Sequence, residues 1–204
     1  MIYRSDIINH LIHKFDYESY LEIGVDNGRN FSYIEAMTKV GVDPDPEASP
    51  RVTHRMTSDE FFGQNTDTFD IIFIDGLHEA DQAYKDAIHA LAILNKGGTI
   101  VMHDCSPPTR ASQVAFFPGK DIVWCGDVWR AWMKLRQRDD LFMEVVNTDY
   151  GVGIIRRKKD EPYPVKPQPA GVEDMTYSEF NADRAYLLNL VPSNCILGEW
   201  THGD

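Results

Sequence analysis

Two stretches of this chain, FDIIFID over 69–75 and TIVMHD over 99–104, are apolar at consecutive rather than alternate positions. Successive residues of a strand point to opposite faces, so a run of this kind is stable only where both faces are covered. That is the position of an inner strand in a parallel sheet flanked by helices. Between the two runs, Ala80 to Leu94 is apolar at helical spacing and is closed by Asn95-Lys96-Gly97-Gly98. Strand, helix and strand make one βαβ unit, and a chain built from such units folds as a doubly wound α/β sheet.

The flanking sequence extends the pattern. SDIINHLIHKF (5–15) predicts an amphipathic N-terminal helix, and Tyr20 to Val25 a short strand that runs into the turn Asp26-Asn27-Gly28. A short helix over 30–37 and a strand over 40–43 follow, then a weak strand over 54–58 and a capped helix start over 58–62. After Asp104 the breaker-rich Cys-Ser-Pro-Pro opens a loop that reaches about Lys120. A helix follows over 128–136, then strands over 142–146 and 151–156 joined by Asn147-Thr148-Asp149-Tyr150, an antiparallel hairpin at the sheet edge. Residues 1–159 read as one domain. Residues 160–204 read as a proline-rich linker over 160–175 and a last amphipathic helix over 177–190, packed on or near that domain.

Composition narrows the function classes. Acidic side chains outnumber basic ones 32 to 20, for a formal net charge of −12, a field that repels phosphate backbones and anionic lipid. The one basic cluster, Arg156 to Lys159, has no interleaved aromatics, so nucleic acid and membrane are both disfavoured as partners. Cys105, Cys125 and Cys195 form no CxxC pair and no apolar run approaches a spanning helix, which suits a cytoplasmic protein. The apolar stripes of the first and last helices leave monomer and homodimer equally open.

In doubly wound sheets ligands bind outside the carboxyl ends of the strands, where the strand order reverses. The residues just after each strand are therefore the candidates. Glu22, Gly24, Asp26, Asn27 and Gly28 form a glycine loop in which Asp26 stands where a nicotinamide dinucleotide site needs a second glycine, and a carboxylate there repels a pyrophosphate. The loop suits a cofactor with a ribose and an amino-acid tail instead. Asp43 is placed to accept from ribose hydroxyls, and Ser58 with Asp59 to meet an adenine edge, although a helix cap explains that pair equally well. Asp75, His78, His103 and Asp104 follow the two buried strands and are the candidate reactive cluster, although hydrogen-bonded structural histidines explain His78 and His103 equally well. Trp124, Trp129, Trp132 and Arg136 read as lid or core.

The segments LEIGVDNG, GVDPDP, FDIIFIDGLHEADQAYKDA, KGGTIVMHDCSPP, GDVWRAWMKLR and DYGVGIIR together resemble the class I S-adenosylmethionine-dependent methyltransferases, over roughly residues 18–157. Within them the chain is similar to the catechol O-methyltransferase-like branch and to small sugar and natural-product O-methyltransferases. The resemblance implies a Rossmann-like, mostly parallel seven-stranded sheet with a terminal antiparallel hairpin, and S-adenosylmethionine as cofactor. It implies Glu22, Gly24, Gly28 and Asp43 as cofactor residues, a small-molecule hydroxyl as acceptor, and Asp75 and Asp104 as ligands of a divalent cation. Cys105 replaces the asparagine of the catechol enzymes, and His103 stands where related enzymes have an acid, so an all-oxygen Mg²⁺ site is incomplete and Mn²⁺ or Zn²⁺ becomes an option. His78, His103 and Asp104 are the expected catalytic groups. The alternative is a non-catalytic protein of the same fold that binds S-adenosylmethionine or S-adenosylhomocysteine.

Overall fold

The computed structural model of the chain describes residues 2–114, 116, 123–160 and 174–194. Its elements in order are α1 (Arg4–Phe15), β1 (Ser19–Ile23), α2 (Arg29–Tyr33), β2 (Thr38–Val42), α3 (Ser58–Gln64), β3 (Phe69–Ile74), α4 (Ala80–Ile93) and β4 (Leu94–Met102). Then come α5 (Val128–Leu135), β5 (Leu141–Asn147), β6 (Val152–Arg157), α6 (Tyr177–Ala182), α7 (Arg184–Leu188) and β7 (Leu190–Pro192). The seven strands form one sheet in the order β2-β1-β3-β4-β6-β5-β7. β6 runs antiparallel to both its neighbours, and every other pair is parallel.

The consecutive apolar residues divide between two cores, as two-faced burial requires. On β3, Ile72 and Ile74 enter the core under α3, α4 and α5, whereas Ile71 and Phe73 enter the core under α1 and α2. β4 repeats this with Ile100 and Met102 on one side and Val101 on the other. Each such side chain, withdrawn from water, stabilises the fold by about 1.5–3 kcal/mol before entropy is counted.

Four expectations need correction. The strand over 54–58 is reduced to one bridge between Val42 and His54, and the seventh strand comes from the C-terminal segment as β7, parallel to β5. The helix over 30–37 stops at Tyr33, because Ile34 is extended, with φ −74° and ψ 132°. The turn at 95–98 is built into β4, since Leu94 leaves the helix already extended and pairs with Phe69. The last helix is two short ones, broken at Asp183, and Asn189 in the left-handed region (φ 50°) turns the chain into β7. The hairpin strands and the helix after the long loop stand where they were expected. The linker over 160–175 lies almost wholly outside the described residues, as do Cys195 and the end of the loop near Lys120. Residues 174–194 belong to the same unit: β7 pairs with β5, the Phe180 and Trp129 rings meet tilted with centroids 4.3 Å apart, and buried Arg136 donates to the carbonyls of Tyr186 and Leu187 at 3.1 and 2.6 Å.

Candidate active site

The strand order reverses between β1 and β3, so the loops after these two strands meet. Gly24 leaves β1 with φ +86°, and a Cβ there would lie 2.1 Å from the Asp75 carbonyl oxygen. Gly28 has φ +74°, and its Cβ would fall 2.3 Å from the Ser49 hydroxyl. Both glycines are thus required by protein atoms, the first so that the two strand ends can touch and the second so that the segment after β2 can lie on the loop. The Ser49 amide completes that contact by donating to the Asp26 carbonyl at 2.7 Å.

Asp43 holds the loop from the end of β2. One oxygen accepts from the amides of Val25 and Asp26 at 2.9 and 2.8 Å, and the other from Asp45 at 2.9 Å. A carboxylate offers about four acceptor positions, which leaves one for a ligand hydroxyl. Asp26 and Asn27 are exposed at the loop tip, where the Asn27 side chain donates to Asp26 at 2.8 Å and accepts from the Arg29 amide at 2.9 Å. Glu22 lies inside the loop instead of on it. It is buried and accepts from the Tyr20 hydroxyl and from Asn30, and burial pushes its carboxyl up to about 8. Thr57, not Ser58, caps α3, while Ser58 accepts from Gln82 at 3.2 Å and so faces α4.

The second half of the site is a compact ionic cluster at the ends of β3 and β4. His78 Nε2 lies 3.4 Å from Asp75 Oδ1 and 3.4 Å from Asp104 Oδ2. Its Nδ1 faces the Trp124 carbonyl at 3.3 Å, and the two rings pack with centroids 4.7 Å apart. His103 is enclosed, with Nδ1 3.2 Å from both Asp75 and Asp104 and Nε2 donating to the Asp149 carbonyl at 2.8 Å. Sequence placed all four residues in one group, and the structure brings them together.

Two members came without a usable sequence signal. Arg4, at the start of α1, donates to Asp75 at 2.5 Å and, through Nε and its backbone amide, to Asp149 at 2.9 and 3.1 Å. Asp149 was ambiguous in the sequence, since a turn explains it as well as a site does. It sits in the β5–β6 hairpin, where Asp149 and Tyr150 take φ of 45° and 62°. Asp104 is also left-handed, with φ 59°, which directs its carboxylate back toward His78.

The charges explain the titration of the cluster. Burial works against ionising Asp75 and Asp149, but the neighbouring His103 and Arg4 hold both carboxyls well below the usual range. Burial likewise opposes the charge on His103, and the facing Asp104 and Asp75 overcome it and raise the imidazole well above its ordinary value. His78 is raised for the same reason, against the same opposition from burial. Burial and the nearby Asp104 keep the Cys125 thiol protonated, and burial does the same for Cys105. Trp129 and Trp132 are core, while Trp124 borders the site.

Asp75, His78 and Asp104 each present one ligand atom, all within 4.8 Å of one another. With Nδ1 turned to the Trp124 carbonyl, Nε2 of His78 faces the two carboxylates, and once deprotonated it would be held as metal-binding histidines are. Among the described residues no helix is long and apolar enough to cross a membrane.

Comparisons with known proteins bear on the fold. Residues 21–105, from within β1 to just past Asp104, match the model of a family described as a methyltransferase domain. No curated protein sequence matches the chain. Among solved structures, the chain is similar to a putative caffeoyl-CoA O-methyltransferase from Staphylococcus aureus at 17% identity and a TM-score of 0.57, with 77% of this chain and 85% of that one covered. It is similar to an SAH-bound methyltransferase from Podospora anserina at 17% identity and a TM-score of 0.59, covering 78% and 80%. An O-methyltransferase from Streptomyces achromogenes, involved in tomaymycin synthesis and solved in complex with SAM, aligns at 16% identity and a TM-score of 0.54, covering 74% and 78%. Residues 21–105 match a methyltransferase domain, and the chain as a whole shares the α/β fold of these solved structures.

Proposed function

We propose that this protein transfers the methyl group of S-adenosylmethionine to a hydroxyl of a small molecule, sugar-like or natural-product-like, with a divalent cation held by Asp75, His78 and Asp104. The observation that carries this reading is the junction of the Asp43-pinned glycine loop with the Asp75–His78–Asp104 group at the point where the strand order reverses. S-adenosylmethionine, when bound, supplies a methyl already activated on sulfur, so the chain must align a nucleophilic oxygen and dispose of its proton. One imidazole and two carboxylates suit Mn²⁺ or Zn²⁺ better than Mg²⁺, and a cation there would stabilise the developing alkoxide.

The two histidines divide the work. His103 has both nitrogens engaged and is almost fully enclosed, so it orients Asp75 and Asp104 and balances their charge. His78 is the more open imidazole, and its Nε2 is the group that takes a cation or, with none bound, the acceptor proton. Because Nε2 must lose its proton to bind a metal, affinity for Mn²⁺ rises as pH increases through the elevated His78 titration.

The test is transfer of labelled methyl from S-adenosylmethionine to a panel of hydroxylated acceptors, with and without Mn²⁺. Turnover that falls at least ~100-fold in His78→Ala supports the reading, and full turnover in that variant contradicts it. A second reading, a cofactor-holding protein without turnover, is favoured by Arg4, whose guanidinium occupies one oxygen of Asp75. Tight binding of S-adenosylhomocysteine without transfer to any acceptor selects it.

A further inference from the structure

A cavity of about 330 Å³ is lined by Arg110, Gln113, Arg130, Thr176, Tyr177 and Ser178. Its volume is at the lower end of the range of small-molecule sites. In a chain with a net charge of −12, it is a place where two arginines converge. Neither guanidinium has a hydrogen-bond or ion-pair partner among the described residues, whereas Arg4 and Arg138 are held by acids and Arg136, Arg156 and Arg157 by carbonyls.

The walls of the cavity supply further donors. Arg130 is steadied by the Trp129 ring, whose centroid lies 4.4 Å away. The Trp129 indole N–H can only donate, and it donates to Gln113 Oε1 at 3.2 Å, which leaves the Gln113 amide NH₂ free. The Ser178 hydroxyl is exposed. The carboxylate of nearby Glu179 is committed to the Thr176 amide and hydroxyl at 2.8 and 2.6 Å. Free guanidinium, amide and hydroxyl donors around one space are what a tetrahedral or planar oxyanion needs.

Position connects this cavity to the reaction. The Asp127 amide donates to the His78 carbonyl at 3.2 Å, and Arg130, three residues on, donates its amide to Asp127 at 2.9 Å. Arg130 therefore stands three residues, ~4.5 Å of helical rise, beyond a residue bonded to the His78 backbone. From the other side, the Ser112 carbonyl accepts from Cys125, which lies against Asp104.

We propose that this cavity binds the anionic group, a phosphoryl or a carboxylate, of the hydroxylated acceptor, so that the substrate class is an anionic small molecule. This rests on the methyltransferase reading for its acceptor, but the binding itself is measured without cofactor. Calorimetric titration of the full chain with glucose 6-phosphate, glucuronate and glucose, each repeated on the variant carrying Arg110→Gln and Arg130→Gln, is the experiment. The expected result is binding of at least one anionic sugar, weakened tenfold or more in the variant, with glucose not bound and affinity for S-adenosylhomocysteine unchanged. Preference for glucose 6-phosphate identifies a phosphoryl group, and preference for glucuronate a carboxylate. For an anionic acceptor that turns over, the same variant raises KM tenfold and leaves kcat in place. Binding that is the same in variant and parent, or no binding of either anionic sugar, overturns the proposal. Loss of S-adenosylhomocysteine binding by the parent protein would instead overturn the methyltransferase reading.

Discussion

Glu22 is an acid that the fold keeps neutral at pH 7, enclosed against Tyr20 and Asn30 with its carboxyl raised to about 8. A folded-state value above the unfolded one means the native protein binds the extra proton, so this group's contribution is full at acid pH and is lost as pH rises from about 4.5 toward 8. Glu22→Gln keeps an oxygen for the Tyr20 hydroxyl and removes the titration. In urea unfolding at pH 5 and pH 8.5 the variant should match the parent at the lower pH and exceed it by a few kcal/mol, in order of magnitude, at the higher. A parent whose stability does not fall across that interval contradicts the assignment. Gly24 gives a second prediction at this scale. Gly24→Ala combines a positive φ with a Cβ 2.1 Å from a backbone oxygen, so about 3 kcal/mol or more of stability should be lost in chemical denaturation.

At the scale of elements, α1 and the β5–β6 hairpin are tied across the site by one side chain. Arg4→Ala leaves Asp75 and Asp149 without their guanidinium partner. Because Arg4 is partly exposed, the expected cost is about 1–3 kcal/mol, with faster amide exchange in the first turn of α1 and around Asp149. Unchanged exchange at both places would show that the two elements are held independently. Phe180→Ala asks the same of the C-terminal segment. Phe180 is fully buried against Trp129, so about 3–5 kcal/mol should be lost if α6 belongs to the core, and little if it is an appendage.

The same elements show what a sequence can carry. β3, β4 and α4 were legible because burial on two faces writes consecutive apolar residues and an amphipathic helix writes its own period. Asp75, His78, His103 and Asp104 were legible because all four lie in the first few residues after β3 or β4, where the strand ends face the crevice. β7 was not, since three residues, Leu190–Pro192, define a strand only through their pairing with Val145 to Asn147. Arg4 was not, because nothing local distinguishes an arginine that reaches an acid 71 residues away. The glycine loop was legible as a motif, but what fills the space beside its glycines, the Asp75 backbone and Ser49, was not.

At the scale of the whole molecule, the reversal of strand order brings the glycine loop of β1 against the acid–histidine cluster of β3 and β4, and the hairpin and α1 close that cluster from the far side. The central claim is that this junction holds S-adenosylmethionine. Calorimetric titration of the full chain with S-adenosylhomocysteine, with and without Mn²⁺ and repeated on Asp43→Ala, tests it most directly, with a thermal melt to confirm that the variant is folded. The account predicts one site of micromolar affinity, lost in the folded variant. No binding under either condition, or binding undisturbed in Asp43→Ala, would contradict it.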